Sequence, residues 1–282
     1  MTAVRELSTP AAFAVMFGSA FALLTVVALW TQNGQRFDAS TLGAFDALRS
    51  DAFVRAYGVR DWLTGALLVV AAVAGVEALV RRAWRAVAAS VVLIGLSLVA
   101  SFAFKAGGLL ERAELGDFAY SYNTFPSGHV AAALAAVVAV AWLNPRWLPR
   151  SMLVVLVIAC EAIAVASLLS FAHRLSDVLG GVLLTGTVAF TITAVVAPWP
   201  RRRPDRWVYV GLAAGTIVGA VVGSAMLGVS LPVDFVVAAG LGGCAVAIAV
   251  VLRMQHPMSR RHEVISLDSR GWSQGGAGRA DV

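Results

Sequence analysis

Charged residues are scarce in this 282-residue sequence. They make up 13% of the chain, whereas hydrophobic residues make up 59%. A soluble domain carries about 25% charged residues. The composition therefore excludes an ordinary soluble domain and predicts an integral membrane protein.

Cysteine is also rare, since only Cys160 and Cys244 occur and both lie inside apolar stretches. This excludes a disulfide framework and a thiolate metal cluster. The net charge of +6 comes mostly from arginines that flank apolar stretches. A role for those arginines in membrane topology explains the charge, so we expect no nucleic-acid partner.

Long apolar runs divide the chain into candidate spans, each needing about 20 residues to cross a bilayer. We predict an all-α, polytopic membrane bundle of about eight transmembrane helices. The first is expected to be a retained signal anchor, because no small-x-small cleavage pattern follows it. The fourth approaches a full span only if its helix starts at Ser127. The runs are Ala11–Trp30, Trp62–Val80, Val87–Phe104, Val130–Leu143, Met152–Ser170, Val178–Val196, Val208–Leu227 and Val233–Leu252.

Most of the 22 basic residues fall on one side of these spans. Cytoplasmic loops are enriched in arginine and lysine, so we expect this side, and both termini, to face the cytoplasm in a plasma membrane. The basic residues concerned are Arg5, Arg81, Arg82, Arg85, Arg146, Arg150, Arg201, Arg202, Arg203, Arg206, Arg253, Arg260, Arg261, Arg270 and Arg279.

The predicted organisation has three parts: a six-span core over residues 1–200, two additional helices over 201–253, and a disordered cytoplasmic tail over 254–282. Span seven carries a glycine at every fourth position from Gly211 to Gly223, a pattern typical of close helix packing. The packing could be within or between chains, so the oligomeric state stays open. The loop Gln32–Arg60 is predicted to form an amphipathic helix on the outer membrane surface, or else a packed connector.

Three polar clusters interrupt the apolar chain, and the predicted topology places all of them on the outer side. They are Lys105 with Arg112, the run Pro126–His129, and His173 with Asp177. A helix that starts at Ser127 offers unpaired N–H groups to an anion, and Gly128 lets a phosphate approach the backbone.

His173 and Asp177 lie on one helix face, so the carboxylate can orient the ring and leave its other nitrogen as a nucleophile. Each cluster also has a structural explanation that involves no phosphate. Ser127 could cap a helix, Asp177 could cap one beside a membrane-edge histidine, Lys105 could be a snorkelling anchor, and Arg112 could be ion-paired at the surface. Their convergence favours a phosphate site.

Metal binding by His129, His173 and Asp177 is an alternative, because three such ligands suffice for a catalytic zinc. The neighbouring cations Lys105 and Arg112 would repel a metal ion. We therefore expect no metal and no cofactor.

The three clusters resemble the motifs of the type 2 phosphatidic acid phosphatase superfamily: Lys-x6-Arg-Pro, Pro-Ser-Gly-His and Ser-Arg-x5-His-x3-Asp. Two positions depart from this pattern. Ala113 replaces the proline of the first motif, and Ser167 stands where the third motif has an arginine that helps to hold the phosphate, with Ala166 at the preceding serine. We hypothesise that Arg174 supplies the missing charge.

The resemblance covers about the first six spans and implies a metal-free mechanism. His173 would form a phosphohistidine, Asp177 would orient its ring, and His129 would act as general acid and base. The remaining matching residues would bind the phosphoryl oxygens; they are Lys105, Arg112, Ser127 and Gly128.

The implied function is a phosphatase for a lipid phosphate or diphosphate at the outer face of the bilayer. A phosphotransferase of the same fold, or a catalytically weakened lipid-phosphate-binding protein, is the alternative. A transporter is a more distant one. In a transporter Glu161 would be the key residue, because intramembrane carboxylates are functional candidates; otherwise it has a structural role.

Overall fold

The computed structural model describes residues 9–43, 51–106, 110–113, 115, 122–149 and 152–196. These residues form seven α-helices, with no β-strand among them, which confirms the predicted helical fold class. The helices are α1 (Thr9–Trp30), α2 (Gln32–Gly43), α3 (Asp51–Val80), α4 (Trp84–Ala106), α5 (Gly128–Leu143), α6 (Met152–Leu169) and α7 (Leu175–Val196).

Five of these helices (α1, α3, α4, α6 and α7) are long and apolar enough to cross a membrane. The fourth predicted span corresponds to α5, which has 16 residues. The described part of the chain thus supports a multi-pass membrane protein. Predicted spans Val208–Leu227 and Val233–Leu252 lie outside the described residues, as does the predicted tail, so the count of eight stays a prediction.

Helix α5 is the centre of the bundle. Every residue of Val130–Leu143 is buried, and α3, α4, α6 and α7 all pack against this helix. Its many alanines have small side chains, so neighbouring helices approach closely on every side. Asn144 ends the helix in the left-handed conformation, with its N–H bonded to the Val140 carbonyl.

Arg81 and Arg146 lie at the same end of the bundle, as their shared place in the charge pattern predicts. The Arg81 guanidinium donates to the Leu143 carbonyl at 2.6 Å and pairs with Glu77 at 3.3 Å. The Arg146 N–H donates to the same Glu77 carboxylate at 3.0 Å. These bonds join the α3–α4 turn to the end of α5.

The prediction of one amphipathic surface helix over Gln32–Arg60 is wrong in part. Helix α2 ends at Gly43, and Asp51 already belongs to α3, which runs on through the second span. The polar side of α2 is not solvated either, since Gln35 and Asp38 are buried. Their hydrogen bonds to the connection that follows α4 explain this burial.

Gly181 sets the distance between α5 and α7. A Cβ atom at this position would lie 2.7 Å from the Ser127 carbonyl oxygen and 3.3 Å from the Ala131 nitrogen. Both are backbone atoms, so a side chain there would push the two helices apart.

We therefore expect Gly181→Ala to lower stability by about 1–3 kcal/mol, measured by thermal unfolding in detergent. Gly95→Ala is the matched control, because a Cβ at Gly95 would meet nothing within 4 Å, and alanine is the better helix former. Equal unfolding temperatures for the two variants would contradict this account of the packing.

Candidate active site

The start of α5 meets the end of α4 at Lys105, the only lysine in the sequence. A Cβ atom at Gly128 would lie 3.5 Å from the Lys105 ammonium nitrogen and 3.4 Å from the Ser101 hydroxyl. The half-buried ammonium group therefore lies beside bare backbone at a helix N-terminus. Both features attract an anion.

Ser127 occupies the N-cap position of α5, as predicted, but its hydroxyl does not cap the helix. The residue is fully buried, and its Oγ has no hydrogen-bond partner among the described residues. A buried hydroxyl without a partner is costly. A polar ligand bound beside it would supply the missing hydrogen-bond partner.

Asp177 is completely buried in the first turn of α7 and holds the third cluster together. Its Oδ2 accepts hydrogen bonds from the Thr124 hydroxyl and from the Arg174 N–H at 2.9 Å, and lies 3.6 Å from His173 Nδ1. The His173 N–H donates to the Ser167 carbonyl at 3.2 Å. With Nδ1 turned towards Asp177, Nε2 is the nitrogen that the predicted nucleophilic role would use.

His129 and His173 approach each other across the site. Their ring centroids are 6.4 Å apart in an edge-to-face arrangement. The start of α5 and the connection before α7 thus bring the two histidine rings next to each other.

Besides His173, His129 has a neighbour that was not predicted from the sequence. Its Nε2 lies 3.1 Å from Asp61 Oδ1, in the first half of α3. The same oxygen accepts from the Arg60 guanidinium at 3.0 Å. Asp61 and Arg60 directly precede the apolar run of the second span. This place at the edge of a span is the signal in the sequence that could have identified them as site residues.

The Arg112 side chain is buried and ion-paired, and its partner was also not predicted. The guanidinium donates to Asp38 Oδ2 at 3.3 Å. Asp38 also accepts from the Ser176 hydroxyl at 2.6 Å and from the Ser176 N–H at 3.3 Å. Burial raises the pKa of Asp38 to about 6, and the nearby Asp177 charge adds to this effect. Arg112 Nε has no partner among the described atoms.

The segment that carries Arg112 is bonded to the α1–α2 corner. The Trp30 indole donates to the Glu111 carbonyl at 2.9 Å, and the Gln35 amide to the Ala113 carbonyl at 2.6 Å. The Ala113 N–H donates to the Leu29 carbonyl at 3.0 Å. Proline has no N–H, so the alanine at this departure from the motif adds a bond that proline could not make.

The second departure lies inside α6. Ser167 is fully buried, and its hydroxyl donates to the Ile163 carbonyl of the same helix at 2.7 Å. Arg174 is buried too, and its guanidinium donates to the Tyr122 carbonyl at 3.4 Å. The structure thus places Arg174 beside the third cluster, while its role towards phosphate stays a hypothesis.

Glu161 lies about two turns before the end of α6 and apart from the clusters. Its Oε1 is buried without a hydrogen-bond partner in the described part of the chain. Among the described residues, no three histidine, cysteine or carboxylate side chains are grouped so as to hold a metal ion.

The fold and site define a class: a membrane-embedded helical bundle with facing histidines, buried carboxylates and cations at one end. Residues 101–201 match the family model of the PAP2 superfamily. This match includes all three motifs and confirms the predicted resemblance to the type 2 phosphatidic acid phosphatase superfamily. No curated protein and no solved structure matches the chain.

The raised pKa of Asp38 predicts a pH-dependent stability. Because folding favours the protonated carboxyl, its contribution is fully present below about pH 4 and is lost as the pH rises through about 6. The amide of Asp38→Asn does not titrate. As the pH rises from about 4 to about 7, the unfolding temperature of the wild type should therefore decrease relative to that of this variant. The decrease corresponds to a loss of up to about 3 kcal/mol in the free energy of unfolding. A constant difference over this range would contradict the assignment.

Proposed function

We propose that this protein is an integral membrane phosphatase that hydrolyses a phosphate or diphosphate monoester of a lipid through a phosphohistidine on His173. The observation that carries the proposal is the pair of histidine rings 6.4 Å apart, at the end of the bundle where Lys105 meets the α5 N-terminus. Family membership of the matched segment supports phosphatase chemistry in general.

In the first step His173 Nε2 attacks the phosphorus atom and the bond from phosphorus to the lipid oxygen breaks. That oxygen takes a proton from His129, so a lipid alcohol leaves, or a lipid monophosphate if the substrate is a diphosphate. Asp177 stabilises the positive charge that forms on the His173 ring, as a buried carboxylate beside a histidine does.

In the second step water attacks the phosphorus atom and gives its proton to His129. The phosphorus–nitrogen bond breaks, its electron pair returns to His173, and inorganic phosphate leaves. His129 is then protonated again, which restores the starting state. One histidine thus serves as general acid and then as general base.

The phosphoryl oxygens would be bound by groups from all three clusters. The Lys105 ammonium and the Gly128 N–H lie together, and the Ser127 hydroxyl is buried without a partner in the described chain. Arg112 and Arg174 would add positive charge from the far side. Groups fixed in this way stabilise charge in the transition state without reorganising.

The positions of the polar groups support the proposed membrane side and, with it, the proposed class of substrate. Arg81 and Arg146 are joined at the opposite end of the bundle, so a cytoplasmic position for them puts the site at the outer face of the plasma membrane. A lipid phosphate headgroup sits at this depth. Polyprenyl diphosphates, phosphatidylglycerol phosphate, phosphatidate and glycosylated polyprenyl phosphates are candidates.

The test is phosphate release by the purified protein from these lipids in the presence of EDTA. His173→Ala should abolish release, because it removes the nucleophile, and His129→Ala should reduce it by about 10²-fold or more. A brief reaction of the wild type should also leave an acid-labile, alkali-stable phosphoryl group on the protein.

Thermal unfolding in detergent serves as the folding control for both variants. Full activity of His173→Ala would overturn the phosphohistidine mechanism, and loss of release in EDTA would overturn its metal independence. Transfer of the phosphoryl group to an added lipid or sugar alcohol would identify a phosphotransferase instead. No reaction with any lipid would leave a lipid-phosphate-binding protein as the better description.

A further inference from the structure

Arg60 and Asp61 on α3 belong to none of the three motifs and precede the segment that matches the family. They nevertheless reach the reaction centre. Asp61 Oδ1 lies 3.1 Å from His129 Nε2, a normal distance for a hydrogen bond. Helix α3 therefore supplies a direct partner for the histidine at the start of α5.

Arg60 restricts the position of the Asp61 carboxylate. Its Nε and Nη2 atoms both lie 3.0 Å from Asp61 Oδ1, and its Cζ lies 4.1 Å from the centre of the Tyr57 ring. The Arg60 side chain is only 3% exposed, whereas Asp61 is 48% exposed. A buried, stacked guanidinium is well suited to holding a carboxylate in one place.

We propose that Asp61 is the positioning residue of His129, so that the site contains two histidine–carboxylate pairs rather than one. Asp177 serves His173 through Nδ1, and Asp61, held by Arg60, serves His129 through Nε2. This inference rests on the proposed function. With the Nε2 proton held by Asp61, His129 exchanges its other proton, on Nδ1, with the substrate oxygen.

The charges around His129 show what Asp61 contributes. Charged and titratable groups from three elements act on its ring: Arg60 and Asp61 from α3, Lys105 from α4, and His173 from the connection before α7. Burial of the ring and the charges of Arg60 and Lys105 disfavour its protonated form. Asp61 is the one negative charge among these groups, and it favours the protonated ring that the first step requires.

The experiment compares wild type, Asp61→Asn and Asp61→Glu, using short-chain phosphatidate in detergent and whichever other lipid phosphate the wild type hydrolyses. Asp61→Asn should lower kcat/KM about tenfold. It should also move the basic limb of the pH–rate profile to lower pH by about 0.5–1 unit, because the protonated His129 ring loses its carboxylate. Asp61→Glu should restore much of both.

Glu77→Gln is the matched control, since it replaces a carboxylate by an amide at the opposite end of α3 and should leave the pH profile unchanged. Because Asp61 is half-exposed, its variants are expected to fold, which thermal unfolding checks. An active wild type with an unchanged rate and profile in Asp61→Asn would overturn this inference alone. A wild type that hydrolyses no lipid phosphate would overturn the proposed function and this inference together.

Discussion

The burial of Asp177 is the constraint on which the site depends. An ionised carboxylate removed from water is stable only when surrounding groups hydrogen-bond to it or carry opposite charge. Here the donors are the Thr124 hydroxyl and the Arg174 N–H, with the His173 ring nearby. The Asp177 carbonyl in turn accepts the Ser127 N–H at 2.8 Å. One residue thus joins the start of α7 to the approach to α5, next to the ring of the proposed nucleophile.

Asp38 repeats this arrangement at the other side of the site. It is also fully buried, and it joins α2 to Arg112 and to Ser176, the residue just before Asp177. The two carboxylates are close enough for their charges to interact, so Arg112 offsets repulsion between them. The short helix between the first two spans is therefore part of the structure that supports the site and not a separate surface element.

The sequence predicted the helical class and most of the spans because apolar runs of about 20 residues have few alternative structures. It also predicted the family resemblance that the match over residues 101–201 confirms, since the spacing of the motif residues within each cluster is local. It did not predict Asp38 or Asp61 as parts of the site. Both lie in or beside a polar stretch that resembles a solvated loop, and their partners Ser176 and His129 are far along the chain. Only the packing of α2 and α3 shows that Asp38 is buried and that Asp61 lies beside His129.

The length of α5 has a consequence for the depth at which chemistry takes place. At 1.5 Å per residue its 16 residues span about 24 Å, some 6 Å less than a typical hydrocarbon core. Because other helices enclose α5 on all sides, it does not contact lipid. The bilayer therefore does not have to become thinner to match its short length. If the Leu143 end of α5 is level with the adjacent helix ends, its Gly128 end does not reach as far as the opposite ends of those helices. A phosphate group bound at Gly128 would then lie below the ends of the neighbouring helices, where the local dielectric is lower than at the surface.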